Sequence, residues 1–287
     1  MRVKSGDSVA KLICRGKRRC KNNSRWYNFL GHNEKIMSEA RQRTATPAAG
    51  LNGDWLTKDR LRNLLNVRTP SEGEAASTIY LRPGDTAESP EWRERLARLG
   101  GTPEENGCGL VGLRSGDRAL VIAPPFPVIE SSQHDGWNDV PLWSLLDEER
   151  LVGVVLVRLG RYSVAVYRGE GLATSKTDSR YVKGKHHAGG TSQLRFTRVR
   201  EGQIRRLYVK VCETVRAQFE PFAGELDYVV LGGEKFTLNG FLKVCPRLEE
   251  YKNITLKRRL NVRDPKRDTL DDLGSTLHES RVWGIDW

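Results

Sequence analysis

The feature that most constrains the fold is a pair of apolar strand patterns in the second half of the chain. Residues 151–157 and 162–167 contain no charged side chain and are joined by a turn through Gly160. Both runs are rich in β-branched residues and too short for typical helices, so they predict a buried hairpin within a sheet. The other elements of this half therefore have to pack around that hairpin.

The segments after the hairpin alternate between helical and strand patterns. A helix is predicted from about residue 192 to 219, because Val211, Val215 and Phe219 recur at helical spacing. The later elements are a buried strand over 226–231, a helix from 236 that ends at Pro246, a strand over 254–262 and a final helix between Asp264 and Trp283. This order predicts an α/β domain with a mixed sheet, in two or three layers, over residues 151–287.

The first half of the chain predicts a smaller α+β domain over residues 51–150. Its elements are a helix from Asp54 to Leu65, a strand over 77–81, a helix over 90–99, a hairpin of 109–113 with 118–122, and a short helix over 143–150. Residues 1–50 are polar and basic, so they are interpreted as a disordered basic arm or as a spurious N-terminal extension ahead of Met37. Little of the fold is expected to depend on them.

Composition excludes several classes of protein. With 287 residues, of which 38% are hydrophobic, the chain is long enough for one large domain or two of ordinary size. No run approaches the roughly 18 apolar residues of a membrane span, and no secretory signal is recognised. A cytoplasmic protein without a membrane partner is the default expectation.

The cysteines predict neither a disulfide framework nor a zinc site. They are Cys14, Cys20, Cys108, Cys212 and Cys245. Their number is odd, and they lack the paired spacing of zinc ligands. We therefore expect reduced thiols, with Cys212 and Cys245 buried in the core.

Positive charge is concentrated in two segments of the chain. The net charge is +12, and residues 1–36 and 176–210 each carry ten Lys and Arg against two acids. The second of these segments surrounds the adjacent glycines Gly189 and Gly190, which allow the backbone to press close against another surface. Basic residues on both sides indicate that this surface is polyanionic, and they predict a loop that reaches into RNA.

A specific motif lies within this basic segment. Lys-His-His-Ala-Gly-Gly-Thr-Ser over residues 185–192 is followed by Leu-Arg-Phe-Thr-Arg-Val-Arg over 194–200. The two runs resemble the middle domain of eukaryotic and archaeal peptide chain release factors, where a lysine-rich lead precedes Gly-Gly-Gln-Ser and an arginine-rich helix start. The element order supports the resemblance over residues 151–287, which implies an RNase H-like fold there. The first half looks closer to bacterial relatives of the Vms-type tRNA hydrolases.

The resemblance implies an enzyme, a peptidyl-tRNA hydrolase that acts on stalled ribosomal complexes. Its substrate would be the ester between the nascent peptide and tRNA, reached in the peptidyl transferase centre of the large subunit. Thr191 stands where release factors place their glutamine, so the amide role is assigned to Gln193, in Gly-Thr-Ser-Gln. Gly189, Gly190 and Gln193 are therefore the predicted catalytic residues. An amide can orient water by donating and accepting hydrogen bonds, without acting as a base.

Basic residues around the motif are assigned to RNA contact. Contacts with tRNA or rRNA phosphates are predicted for Lys183, Lys185, His186, His187, Arg195, Arg198 and Arg200. Adjacent histidines rarely share a metal, and no metal, cofactor or DNA partner is predicted. In the alternative interpretation, these side chains form a solvated helix face and loop. Phe196 is expected to anchor the helix start in the core, and Tyr162, Tyr167 and Tyr181 to pack on the sheet.

Two other functions stay open. Thr191 at the usual glutamine position is compatible with a catalytically silent ribosome or tRNA binder of the same fold. A metal-dependent nuclease would need several converging carboxylates, and Asp178, Glu201 and Asp227 do not form a recognisable motif. No codon-reading domain is recognised, so stop-codon recognition is not predicted.

Overall fold

Two β-sheets and the helices packed on them make up the described part of the chain. The structure is a computed structural model that describes residues 51–99, 107–184 and 191–287. Both sheets belong to one compact unit, Ala48–Trp287. The predicted N-terminal arm, residues 1–50, lies outside the described residues.

The first sheet is antiparallel and takes most of its strands from the first half. Its strands are β1 (Asn52–Leu56), β2 (Ala76–Leu81), β3 (Leu110–Ser115), β4 (Arg118–Ala123), β5 (Ser132–Asp135) and, from the far end of the chain, β11 (Ser280–Asp286). They lie in the order β1-β11-β4-β3-β2-β5. Every neighbouring pair runs antiparallel.

Three short helices cover the two faces of this sheet. They are α1 (Lys58–Arg68), α2 (Pro90–Ala97) and α3 (Val140–Asp147). Leu61 of α1 and Leu142 of α3 belong to one buried cluster, on the face that carries Val111. Trp92 of α2 is buried in a second cluster with Val121, on the opposite face. Helices on both faces therefore shield the sheet from water.

The second sheet is mixed and contains the predicted hairpin near its centre. Its strands are β6 (Leu151–Arg158), β7 (Arg161–Arg168), β8 (Gly171–Ser179), β9 (Tyr228–Gly233) and β10 (Thr255–Leu260), in the order β10-β9-β6-β7-β8. β6, β7 and β8 form an antiparallel meander, whereas β9 and β10 run parallel to β6 and to each other. Counted within the domain, this is strand order 3-2-1-4-5, the RNase H-like arrangement. The predicted fold class, α/β with a mixed sheet after a smaller α+β part, is confirmed.

Helices lie on both faces of the mixed sheet and make three layers. They are α4 (Thr191–Phe219), α5 (Lys235–Leu242) and α6 (Arg267–Leu277), and a 3-10 helix spans Pro246–Ile254. Val155 and Val164 face α4 and α5, whereas Val154 and Ala165 face α6. Because successive side chains of a strand point to opposite faces, a strand covered on both faces has to be apolar throughout. This explains why residues 151–157 and 162–167 of the central hairpin carry no charge.

One glycine sets how closely α4 approaches the sheet. A Cβ atom at Gly153 would lie 2.7 Å from Cζ of Phe219 and 3.1 Å from two further ring carbons. The Phe219 ring, which is fully buried, occupies the space that a side chain on β6 would otherwise take. The C-terminal end of α4 is therefore fixed against the strand at the centre of the sheet.

A buried arginine connects the mixed sheet to the first sheet. Arg258 of β10 donates hydrogen bonds to the carbonyl oxygens of Thr276, Leu277 and Glu279, at 2.8, 3.2 and 3.3 Å. Its guanidinium lies 4.5 Å from the ring centroid of Trp55 on β1. Arg258 thus satisfies the carboxyl end of α6 and provides a cation–π contact to the first sheet.

The end of the chain differs from the prediction. The expected final helix between Asp264 and Trp283 ends at Leu277, and Ser280–Asp286 is a strand of the first sheet. Val282 and Trp283 are both buried but in opposite faces of that sheet, which is the periodicity of a strand and not of a helix. Residues 151–287 therefore contribute one strand to the first sheet, in addition to the whole mixed sheet.

The secondary structure differs from the prediction in further places, of which two follow. Residues from Asp54 to Leu56 belong to strand β1, and the expected helix starts only at Lys58. Strand β8 was not predicted, because Gly171–Ser179 is polar and lies at the edge of the mixed sheet, where only one neighbour supplies hydrogen bonds.

The expectation of reduced thiols was wrong for one pair of cysteines. Cys212 of α4 and Cys245, which follows α5, form a disulfide with a Cα–Cα distance of 5.3 Å. They pack against the same core although 33 residues separate them in sequence, so spacing alone gave no sign of the bond. Cys108 is buried, its Sγ lies 3.5 Å from the Pro125 carbonyl oxygen, and burial raises its pKa to about 12. Cys14 and Cys20 lie outside the described residues.

A Gly153→Ala substitution should destabilise the protein, because the added methyl group overlaps the Phe219 ring. Overpacking of this kind costs about 1–3 kcal/mol of unfolding free energy, measured by urea denaturation. The double variant Gly153→Ala/Phe219→Leu should lose less stability than the sum of the two single variants, because the smaller side chain removes the overlap. Additive losses would contradict a direct contact.

Candidate functional site

The N-terminal third of α4 extends beyond the hydrophobic core. Leu207, Val211, Val215 and Phe219 of this helix are fully buried. Over residues 193–203, by contrast, no side chain is buried, and only two are half-buried. These eleven residues cover about 16 Å at ~1.5 Å per residue. The predicted start near residue 192 is confirmed, since the helix begins at Thr191.

The base of this extension is tied to the chain segment that follows β8. The Lys183 backbone N–H donates to Oε1 of Gln203 at 3.0 Å, and Nε of Arg200 donates to the Lys183 carbonyl oxygen at 2.9 Å. We call these three residues the Lys183 clamp. The clamp holds both the N–H and the carbonyl oxygen of Lys183, so the segment that follows β8 is fixed against α4.

A cation–π contact adds to the clamp. Nζ of Lys183 lies 5.5 Å from the ring centroid of Phe196, one turn of α4 before Arg200. The Phe196 side chain is 42% exposed, so the expectation that it anchors the helix start in the core was wrong. The core cluster on this face of the sheet includes Ile204 and Leu207 of α4 but not Phe196.

Gln193 lies two turns before the clamp and is exposed. Seven residues separate it from Arg200 and eighteen separate it from Val211, so at about 100° per residue all three lie on one side of the helix. Gln193 therefore lies on the same side of α4 as the buried residues, but in the part of the helix that does not contact the core. Its side chain is available to a partner.

The structure describes four of the predicted RNA-contact residues. Arg195 and Arg198 are exposed, whereas Lys183 and Arg200 are half-buried and belong to the clamp. The other predicted site residues, Gly189, Gly190, Lys185, His186 and His187, lie outside the described residues. Arg200 thus has a structural role that its sequence did not indicate.

Gln203 is a site residue that the sequence analysis missed. It precedes the buried Leu207 by one turn, a position where an apolar residue would extend the core seam of α4. A polar residue at such a position is the signal that could have shown where the helix leaves the core. Its amide then accepts a hydrogen bond instead of packing.

The tyrosines near the site differ in how deeply they are buried. Tyr162 and Tyr167 are buried in the sheet as predicted, and the Tyr167 hydroxyl donates to the Leu270 carbonyl oxygen at 2.6 Å. Tyr181, in contrast, is 77% exposed and does not pack on the sheet. Burial raises the pKa of Tyr208, an effect that the positive charge of Arg200 opposes. Tyr208 is therefore protonated at neutral pH, and it packs in the core.

Two of the three acidic residues considered for a metal site, Asp178 and Asp227, have other contacts. The Asp227 carboxylate accepts the Leu151 N–H at 2.7 Å, and Asp178 accepts the N–H of Ser179 at 2.7 Å. Within the described ranges, no group of three or more His, Cys, Asp and Glu side chains could hold a metal ion. Nor does any helix in this part of the chain have the length and apolar character to span a bilayer.

Comparison with known families gives a match over most of the second half. Residues 150–283 match the family described as Actinobacteria/chloroflexi VLRF1 release factor. The matched range begins just before β6 and includes the mixed sheet, its helices and the first part of β11.

Curated relatives agree with this match. The chain is 30% identical over 147 residues to peptide chain release factor subunit 1 of Archaeoglobus fulgidus, covering 48% of this chain and 36% of that protein. It is 31% identical over 157 residues to the same factor of Methanopyrus kandleri, covering 52% and 38% respectively. The chain thus spans well under half the length of these relatives.

The comparison with solved structures gives low similarity scores. The archaeal translation termination factor aRF1 has a TM-score of 0.33 at 13% identity, with 78% of this chain and 73% of that chain covered. The Vms1 mitochondrial localization core has a TM-score of 0.36 at 13% identity, with 60% and 74% covered.

The mixed sheet, the extended basic helix and the sequence matches together support a release-factor-like protein. Within that class, residues 150–283 are similar to the VLRF1 release factors.

A Gln203→Ala substitution should open the Lys183 clamp. One neutral hydrogen bond contributes about 0.5–1.5 kcal/mol, so the Lys183 amide should exchange its hydrogen about two- to tenfold faster. Hydrogen exchange followed by mass spectrometry or NMR measures this change. Gln218→Ala is the matched control, because Gln218 of the same helix accepts a hydrogen bond from Thr174 on β8 instead. Equal exchange at Lys183 in both variants would contradict the clamp.

Proposed function

We propose that this protein is a peptidyl-tRNA hydrolase that releases nascent peptides from stalled ribosomal complexes, in ribosome rescue or quality control. The observation that carries the proposal is the position of Gln193, exposed on a helix that extends about 16 Å beyond the core on a clamped base. The family match and the release-factor relatives support a role on the ribosome. The Gly189-Gly190 pair would precede the amide and enter the peptidyl transferase centre.

The chemistry is ester hydrolysis with a positioned water. The Gln193 amide would accept a hydrogen bond from the attacking water and donate one to a neighbouring oxygen, which fixes the water near the ester carbonyl. Backbone N–H groups in the first turn of α4 can stabilise negative charge that develops on the carbonyl oxygen. Ribosomal RNA around the ester would supply the rest of the environment. The amide itself transfers no proton.

The proposed partners are the large ribosomal subunit, its rRNA and peptidyl-tRNA. Lys183, Lys185, His186, His187, Arg195, Arg198 and Arg200 remain the proposed RNA contacts. Arg200 has a second role, because its hydrogen bond to the Lys183 carbonyl oxygen helps to set the direction in which α4 leaves the domain. Residues 191–210 carry six Lys and Arg against one acid, which favours binding to phosphates.

One observation favours a second function, a catalytically silent ribosome or tRNA binder. By the resemblance of the Gly-Gly-Thr-Ser motif, Thr191 falls where release factors place their glutamine. A threonine hydroxyl is shorter than a glutamine amide and presents its hydrogen-bonding group closer to the backbone. In that case the extended helix would bind the same site without hydrolysing the ester.

Gln193→Ala should abolish peptide release while leaving binding intact. The assay uses large subunits that carry peptidyl-tRNA and follows the freed peptide and the tRNA. Losing a group that positions water or stabilises charge costs about 100-fold or more in rate. Gln218→Ala, in the same helix but bonded to Thr174, is the control with unchanged release.

Three results would contradict this proposal. Equal release by wild type and Gln193→Ala would remove Gln193 from the chemistry. Release that appears only in Thr191→Gln would support the silent binder. Shortened tRNA, in place of intact deacylated tRNA, would point to a nuclease.

A further inference from the structure

Residues 193–206 of α4 form two opposite faces. The face that carries Gln193, Phe196, Arg200 and Gln203 holds the clamp, and we call it the Gln193 face. At about 100° per residue, the opposite side carries a second set of residues, which we call the outer face. It comprises Arg195, Arg198, Gly202, Arg205 and Arg206, all of them exposed.

Gly202 lies at the centre of the outer face and is not required by the fold. A Cβ atom at this position would meet nothing within 4 Å, and Gly202 is not among the glycines with positive φ. Glycine disfavours a helix relative to alanine, so an alanine would be both tolerated and more stable. The fold thus does not require this glycine, and its missing side chain leaves the backbone open to approach at the centre of the outer face.

Four guanidinium groups surround the exposed backbone at Gly202. Arg198 and Arg206 lie one turn before and after it on the same side, and Arg205 and Arg195 extend the row along about 16 Å of helix. Guanidinium groups bind phosphates through a planar pair of N–H donors. Because Gly202 has no side chain between these arginines, the backbone of a bound polymer can approach the helix closely. The combination suits a ribose–phosphate chain better than an acidic protein surface.

We infer that the outer face of α4 binds the phosphate backbone of large-subunit rRNA, with Gly202 as the point of closest approach. The inference rests on the proposed function in one respect. If Gln193 faces the ester at the tRNA end, the residues on the opposite side of the helix face away from that tRNA. These residues then face the rRNA that surrounds the peptidyl transferase centre. The outer face is thus a site for rRNA, and the Gln193 face is the site for tRNA.

The test is binding to vacant large subunits that carry no tRNA, measured by co-sedimentation over a range of salt concentrations. Gly202→Ala should raise the unfolding temperature but weaken binding severalfold, and Gly202→Leu should weaken it further. Arg198→Gln/Arg205→Gln should reduce the slope of log affinity against log salt by about two, one for each lost phosphate contact. Arg216→Gln is the matched control, since Arg216 is exposed on the same side of α4 but eighteen residues from Arg198.

The outcomes separate this inference from the proposed function. Unchanged binding by Gly202→Leu would overturn the inference, even if release still depends on Gln193. The same losses with isolated deacylated tRNA would assign the outer face to tRNA and also overturn it. Weaker binding of the Gly202 and arginine variants to vacant subunits, with Arg216→Gln unchanged, would support the inference even if the protein released no peptide.

Discussion

The packing of Phe219 against Gly153 is the contact on which the candidate site depends. It fixes the C-terminal end of α4 to the central strand β6, and the buried residues from Leu207 onward extend that attachment along the sheet. When one end of a helix is fixed, a small change in its direction displaces the other end by a larger distance. The position of its free end is then set by the angle at which it leaves the core. The Lys183 clamp fixes that angle at the last point where the domain can reach the helix.

Much of the fold could be predicted from local patterns. The hairpin of β6 and β7 could be predicted from its uncharged runs at 151–157 and 162–167, because burial on both faces leaves a strong apolar signal. The start of α4 could be predicted from its 3.6-residue repeat. Polar edge strand β8, strand β11 and the Cys212–Cys245 bond could not be predicted. Each depends on a partner that is distant in sequence, and no local pattern records such a pairing.

The candidate site was predictable in composition but not in geometry. The sequence identified Gln193 and the arginines as polar and basic residues of one helix, but it did not distinguish their sides. The structure separates Arg200, which binds the Lys183 backbone, from Arg195 and Arg198, which are exposed. That distinction arises because the core ends at Ile204, and only a three-dimensional structure shows where a helix passes the edge of its sheet.

Strand β11 has a consequence for how the chain folds during synthesis. It lies between β1 and β4, so an interior position of the first sheet is filled by residues made after the whole mixed sheet. Until those residues emerge, β1 has no described neighbour in the sheet, and β4 exposes an unpaired edge. Folding that requires such distant segments to meet is slow, because the loop between them must close first. The first sheet is therefore completed last.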